Sequence, residues 1–427
     1  MRPSNSTRKI VGYVPMQKTM KKVIVYFFLA CFIVPCYAQT ESSFKDFLRQ
    51  LNQSTNDKRQ RLVNEYLSRT KTTPIVEGKN SVHFVWFGQA DTVKVEGDLQ
   101  KSWAAPALLH KIECGEKDFF HISYNIPSAS LIEYDFIVDG KQTMDLLNPR
   151  VTQGFDFGDR SIFSMPDFLE SPYLKPRYGI SKGSVVQWTF KTSDKLFTNQ
   201  PISIYRPYGY ADDKSYPVLY VLDGTSSLYS RPYLNVINNL IFDKKIEPMV
   251  VVFVGFNDRW NDYVEKSSEF GQWVVDEMVP FIEKNFKVLS SADRRGIIGA
   301  SASGHAAIVT ALRHPDVFGN VASQGGGAGG YPGLNPHANA ALDDYLTKKD
   351  KFPLRSFYTE VGTFDLEFPQ QKIVFSDGVK QFNERLSKAG VRYVFNEVNG
   401  GHSSKLWDES LDDILILFFG TSAKASK

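Results

Sequence analysis

The feature that most constrains the fold is the run Gly296-Ile297-Ile298-Gly299-Ala300-Ser301-Ala302-Ser303-Gly304-His305. A short apolar strand feeds a turn of small residues, and a helix-forming run, Ala306 to Leu312, follows at once. Strand, tight turn and helix in that order make the sharp corner that lifts a serine hydroxyl above the edge of an α/β sheet. Such a corner has little room two residues before and after the serine, where this chain places Gly299 and Ser303. The pattern G-x-S-x-G asks for glycine at the second of these places. The Ser303 side chain is therefore expected to crowd the turn and to lower activity without removing any reacting group.

The segments around this corner alternate between strand and helix patterns from about Lys182 to the end. Two extended segments, Val185 to Lys191 and Pro201 to Arg206, open the region. Buried-strand runs follow at Pro217 to Leu222 and Met249 to Val254, separated by a helical stretch near Tyr233 to Phe242. A helix from Gly271 to Phe286 precedes the elbow strand. This order predicts a mostly parallel, doubly wound sheet over 182–427, with ligands at the carboxyl ends of its strands. Upstream the period changes. His83-Phe84-Val85-Trp86-Phe87, Phe119 to Tyr124 and Glu133 to Val138 alternate, with turns such as Asp139-Gly140 between them. Alternation at this spacing predicts a β-sandwich domain over 74–167. Pro172 and Pro176 mark a linker over 168–181, and 39–73 reads as a helical segment with Phe44, Phe47, Leu48 and Leu51 on one stripe.

A serine nucleophile needs a base and an orienting acid. Four histidines follow Ser301. His305 lies on the helix that Ser301 initiates, His314 reads as a helix C-terminus, and His337 falls in a polar loop. His402 follows Asn399-Gly400-Gly401 just after the strand Tyr393 to Val398, and is the expected base. The acid comes between serine and histidine in this chain order. The strand and turn Phe357 to Asp365 point to Asp365, with Glu367 as the alternative and Glu360 as a structural residue inside the strand. The oxyanion needs two backbone donors. Ala302 is the expected first, and Gly224 or Thr225, in the turn after the strand ending at Leu222, is the second.

These stretches, taken in order, resemble the "putative esterase" family of α/β-hydrolases, which includes enterochelin esterases, esterase D and feruloyl and acetyl-xylan esterases. The match is carried by Ile204-Tyr205-Arg206-Pro207, Tyr216 to Gly224, Val254-Gly255 with Arg259, Asp276 to Glu283, the elbow, His314 to Gly319, Val361 to Asp365, and Gly400-Gly401-His402 with Trp407. By position the resemblance implies Ser301 as nucleophile, Asp365 as acid and His402 as base, with Arg259 and Trp407 near the substrate. The middle region resembles the immunoglobulin-like early-set domain that precedes such catalytic domains, through Val95-Glu96-Gly97-Asp98 with Trp103, and Asp139-Gly140 with Asp145 to Pro149. Trp86 and Trp103 are the residues that would stack on a sugar there. No metal or cofactor is implied.

Composition narrows the partners. Residues 1–38 hold no acid, and Lys21-Lys22 precede the apolar run Val23 to Val34 and then Cys36-Tyr37-Ala38, the pattern of a signal peptide cleaved after Ala38. Removing the six bases of that stretch, Arg2, Arg8, Lys9, Lys18, Lys21 and Lys22, takes the formal charge from +3 to 3 − 6 = −3. The basicity thus belongs to the leader and gives no support to nucleic-acid binding. Cys31 and Cys36 leave with it, so Cys114 can form neither an internal disulfide nor a cysteine metal site. The expectation is a secreted or periplasmic serine ester hydrolase with no membrane span in its mature form. Its expected substrate is a feruloyl or acetyl ester of plant polysaccharide. A catecholate siderophore trilactone is the second substrate class, and a non-catalytic glycan-binding protein on a hydrolase scaffold is the rival.

Overall fold

The computed structural model describes residues 43–102, 105–152, 158–192, 197, 200–327 and 335–421. The leader, Trp103 and the later part of the glycine run 325–330 lie outside the described residues.

The carboxyl-terminal region is an eight-stranded sheet. Its strands are β1 Ser184–Phe190, β2 Gln200–Arg206, β3 Val218–Val221, β4 Val250–Val254, β5 Arg295–Ala300, β6 Asn320–Gln324, β7 Ser356–Gly362 and β8 Val394–Val398. They lie in the order β1-β2-β4-β3-β5-β6-β7-β8. The first two pairings are antiparallel and all those from β4 onward are parallel. Strands β3 to β7 are buried along their whole length, because helices cover both faces. One face packs on Phe270, Trp273, Ile308 and Leu312, and the other on Val236, Leu240, Ile414 and Phe418. This is the α/β-hydrolase sheet that the alternation of elements predicts. The helix expected at Gly271 to Phe286 begins earlier, at Ser267, and runs to Asn285 through the widened turn Val274–Met278. Pro280 follows that turn and has no N–H for the carbonyl one turn back, which is why the ladder loosens there.

The upstream region is the expected β-sandwich. A four-stranded antiparallel sheet orders Ile75–Glu77, Ser81–Gly88, Asp118–Asn125 and His110–Glu113. The facing sheet is built on Val93–Gly97, Leu131–Val138 and Arg160–Ser164. Phe84, Phe120, Tyr134, Phe136 and Phe163 fill the space between them. Trp86 packs edge-on against Phe120 at 5.6 Å and belongs to this core.

The segment before the sandwich is two helices, Phe44–Asn52 and Asn56–Arg69, rather than one. They seat Phe44, Phe47, Leu51 and Val63 on Val85 and Phe119, the neighbours of Phe84 and Phe120 that point to the sheet's other face. Cys114 is buried in the same cluster as a free thiol. The 168–181 stretch forms no helix or strand, yet it is held firmly. Asn239 donates to the carbonyls of Tyr173 and Lys175, and Asn235 to that of Leu174.

Candidate active site

Ser301 ends β5 and opens the helix Ala302–Arg313 with φ 56° and ψ −123°. A non-glycine residue with that φ is strained, and strain of this kind persists only where packing on both sides imposes it. Here the packing is tight: a Cβ added to Gly299 would sit 2.3 Å from the Ser303 backbone. Ser303 itself is fully buried without crowding the turn. Its Oγ accepts from the Ala300 N–H at 2.8 Å and donates to the Ala300 carbonyl at 2.8 Å, closing the corner. A hydroxyl at this place thus replaces glycine's lack of bulk with two hydrogen bonds.

The Ser301 hydroxyl lies 2.9 Å from His402 Nε2, and His402 Nδ1 lies 2.8 Å from Asp365 Oδ1. The two polar partners come from the ends of neighbouring parallel strands, Asp365 after β7 and His402 after β8. Asp365 is oriented by its own backbone, accepting from the Leu366 N–H at 2.8 Å and the Gly362 N–H at 3.3 Å. With the carboxylate accepting Nδ1–H, Nε2 keeps a lone pair for the serine proton. The imidazole stands edge-on between Trp407 at 5.0 Å and Phe375 at 5.6 Å, which exclude water from it. The side chains of His402 and Asp365 are 6% and 0% exposed, so this hydrogen bond is formed away from solvent.

The remaining candidates take different places. Glu367 pairs with Lys101 at 2.8 Å and does not meet His402. Glu360 accepts from the Tyr358 hydroxyl at 2.6 Å inside the sheet, and burial pushes its carboxyl up to about 7. His305 is fully buried, and burial first, then His337, hold it down at about 3. His314 caps the end of the elbow helix, as its position predicts. His337 lies in the first turn of the helix Asn335–Lys348 and not in a loop. Pro336 misleads there, since proline is well tolerated in a helix's first turn. Ala302 is the first helical residue after Ser301, while Gly224 and Thr225 open the helix Gly224–Ser230, whose first turn has no side-chain cap. Asp223 precedes them in the left-handed region (φ 55°) and is gripped by Arg259 through two bonds of 2.8 and 2.9 Å.

The hydroxyl opens onto a cavity of about 150 Å³. Arg160, Arg231 and Arg259 line it together with Asp98, Glu133 and Asp223, a row of serines and Trp407. Each arginine has an acidic partner: Arg160 with Glu96 at 3.1 Å, Arg231 with Asp408 at 2.7 Å, and Arg259 with Asp223 at 2.8 Å. Asp98, Glu133 and Arg160 come from the sandwich domain, and no local signal in the sequence connects them to this site. Burial, and then the neighbouring Glu133 carboxyl, push Asp98 well above the usual carboxylate range, and burial raises Glu133 as well. Among the described residues no cluster of His, Cys, Asp and Glu has the makings of a metal site, and no helix is long and apolar enough to cross a membrane.

Comparison with known proteins bears on the family and the fold. Residues 193–418 match the family model described as "Putative esterase". An endo-1,4-beta-xylanase/feruloyl esterase of Xylanibacter ruminicola is 30% identical over 230 residues, covering 51% of this chain and 28% of that protein. The iron(III) enterobactin esterase of Escherichia coli is 24% identical over 235 residues, covering 54% of this chain and 52% of that protein. This chain therefore spans only part of each of these relatives. Among solved structures, the ferric enterobactin esterase of Salmonella typhimurium superposes with a TM-score of 0.65 at 18% identity, over 83% of this chain and 98% of that one. The enterobactin esterase of Shigella flexneri gives 0.63 at 18% identity, over 82% and 97%. At that identity the likeness speaks to the fold alone. The family model covers more than half of the chain, and on that match the protein belongs to the "Putative esterase" family.

Proposed function

We propose that this protein is a serine carboxylic-ester hydrolase whose nucleophile is Ser301, with His402 as base and Asp365 as the acid that orients it. The observation that carries this reading is the unbroken hydrogen-bonded chain from Ser301 Oγ through His402 to Asp365. His402 Nε2 takes the hydroxyl proton as Oγ adds to the ester carbonyl. The buried Asp365 carboxylate stabilises the imidazolium that forms. The Ala302 N–H, with a donor from the uncapped first turn Gly224-Thr225, receives the oxyanion. His402 then returns the proton to the departing alcohol. Water, deprotonated by the same imidazole, cleaves the acyl-enzyme to free acid and Ser301.

The preferred substrate is a feruloyl or acetyl ester of plant polysaccharide, met outside the cytoplasm as the leader pattern suggests. Two features support this choice. A cavity of about 150 Å³ is the size that holds one benzene ring. The arginines that line it are already paired, which leaves the wall poorly suited to the several negative charges of an iron-bound catecholate. The second reading, a catecholate trilactone, draws on the presence of three guanidiniums in one wall, with Arg259 and Trp407 as substrate contacts. The test is hydrolysis of p-nitrophenyl acetate, methyl ferulate, acetylated xylan and a catecholate trilactone by the chain from Gln39, beside Ser301→Ala. Turnover that vanishes in Ser301→Ala upholds the esterase, and the best substrate decides between the classes. Turnover of none of them, together with measurable glycan affinity, would move the assignment to a glycan-binding protein.

A further inference from the structure

The loops that carry His402 and Asp365 do not stand by themselves. Each is held from outside by the sandwich domain. At the base loop, Leu131 N–H donates to the Asn399 carbonyl at 2.9 Å. Ser403, the residue after His402, donates its hydroxyl to Glu133. Asp98 closes the other side. Its Oδ2 accepts from the Glu133 N–H at 2.8 Å, and the Gly401 N–H donates to the same carboxyl. The approach is so close that a Cβ on Gly401 would lie 2.1 Å from Asp98 Oδ1. The acid loop is held by the next turn of the same domain. Glu367 N–H donates to the Lys101 carbonyl at 2.8 Å, and Lys101 Nζ meets the Glu367 carboxylate at 2.8 Å. Between them Phe364, partly buried, packs against the apolar core of the sandwich.

We propose that the sandwich domain is a working part of the esterase site, in which Asp98 and Glu133 are positioning residues that fix the Gly400–Ser403 loop and so the approach of His402 to Ser301. The inference rests on the triad proposed above and extends it to residues about 270 to 300 positions upstream. The physical reason is reach. A loop after an edge strand has neighbours on one side only, and β8 is the last strand of the sheet. Its imidazole must nonetheless stay within hydrogen-bond distance of a hydroxyl on β5, because a displacement near 1 Å can cost about 100-fold in rate. Backbone N–H groups gripped by a carboxylate on a separate core supply that restraint. Both carboxyls also line the cavity, and the experiment separates positioning from substrate binding.

The test compares Asp98→Ala, Asp98→Asn and Lys101→Ala with the full chain, using Lys111→Ala as a control on the remote sheet of the sandwich. Four quantities are read: kcat and KM on p-nitrophenyl acetate, the rate at which a small fluorophosphonate labels Ser301, and the thermal midpoint. Fluorophosphonate labelling needs the serine–imidazole unit and makes no use of an alcohol subsite. For positioning, kcat and the labelling rate fall together by about 10- to 100-fold in Asp98→Ala, with KM within threefold. Asp98→Asn, which keeps one acceptor oxygen, falls less, and Lys101→Ala falls in the same direction through Asp365. An unchanged labelling rate in folded Asp98→Ala or Asp98→Asn overturns the proposal, whether or not KM rises. If Asp98→Ala does not fold, Asp98→Asn and Lys101→Ala decide by the same criteria. A wild-type chain that neither labels nor turns over ester overturns this inference and the esterase reading together, whereas a variant that labels like wild type sinks only the positioning role.

Discussion

Replacing Ser303 by glycine restores the G-x-S-x-G pattern, and the structure predicts that this apparent repair weakens the protein. The Oγ of Ser303 closes two bonds of 2.8 Å with the backbone of Ala300 in a site with no solvent. Removing it deprives the buried Ala300 N–H of its acceptor and leaves the Ala300 carbonyl only the 3.4 Å contact from Arg259, at a cost of about 1–3 kcal/mol. Ser303→Ala isolates that loss. Ser303→Gly adds about 0.5–1 kcal/mol for glycine inside a helix. At about 2–4 °C per kcal/mol for a domain of this size, the thermal midpoint should drop by roughly 2–12 °C in Ser303→Ala and somewhat further in Ser303→Gly. The Ser301–His402–Asp365 distances do not depend on this hydroxyl, so kcat should stay within about threefold. Differential scanning calorimetry beside steady-state hydrolysis reads both quantities. A higher midpoint, or a kcat raised tenfold in Ser303→Gly, would show that the side chain strains the elbow, and the reasoning from its hydrogen bonds would be wrong.

Two further outcomes are expected. Asp365→Asn keeps the shape of the acid but turns an amide toward His402 Nδ1, so kcat should fall by about 10³- to 10⁴-fold, the scale of the loss when the triad aspartate of a serine protease is changed to asparagine; Glu367→Gln should lose at least a hundredfold less, and equal losses would reopen the choice of acid. His305 is buried neutral with its folded value lowered to about 3 from 6.5, so the unfolded chain binds the extra proton between those values and stability must fall as pH drops below 6.5. The slope from this residue is at most about 1.4 kcal/mol per pH unit, and His305→Leu should flatten the urea midpoint between pH 6.5 and 4; an unchanged slope in the variant would show that His305 does not bind its proton on unfolding.

What the sequence made legible followed from local constraint. The elbow is readable because strand, small turn and helix are forced by covalent geometry over a dozen residues. Asp365 and His402 are readable because each follows a strand in a fold whose chain order is fixed. Buried runs such as Val250 to Val254 name themselves by continuous apolarity. The misreadings have equally local causes. Polar residues fill the chain from Asn52 to Arg61 and the apolar spacing resumes at Leu62, so the break at Gln53 to Thr55 is concealed in a longer polar stretch that one solvated helix face would also show. Pro336 imitates a loop while sitting in a helical first turn. Asp98 and Glu133 are hidden for a different reason. In sequence Asp98 is a polar residue after a strand and Glu133 the outward member of an alternating pair. Their carboxyls acquire meaning only when Gly401 and Ser403 arrive from the far end of the chain.

The placement of the arginine and carboxyl wall has a consequence for how such a protein diverges. Ser301, Asp365 and His402 sit in the turns and loops that follow strands of one apolar-packed sheet, where a single added or lost methyl is felt. On the opposite wall Asp98, Glu133, Gly158 and Arg160 belong to a second, separately packed core. Substitutions at 158–160, outside the turns that hold the His402 and Asp365 loops, can reshape what fits against Ser301 while every contact inside the sheet stays as it was. Selection for a new ester can therefore act on one half of the molecule and leave the other inherited intact.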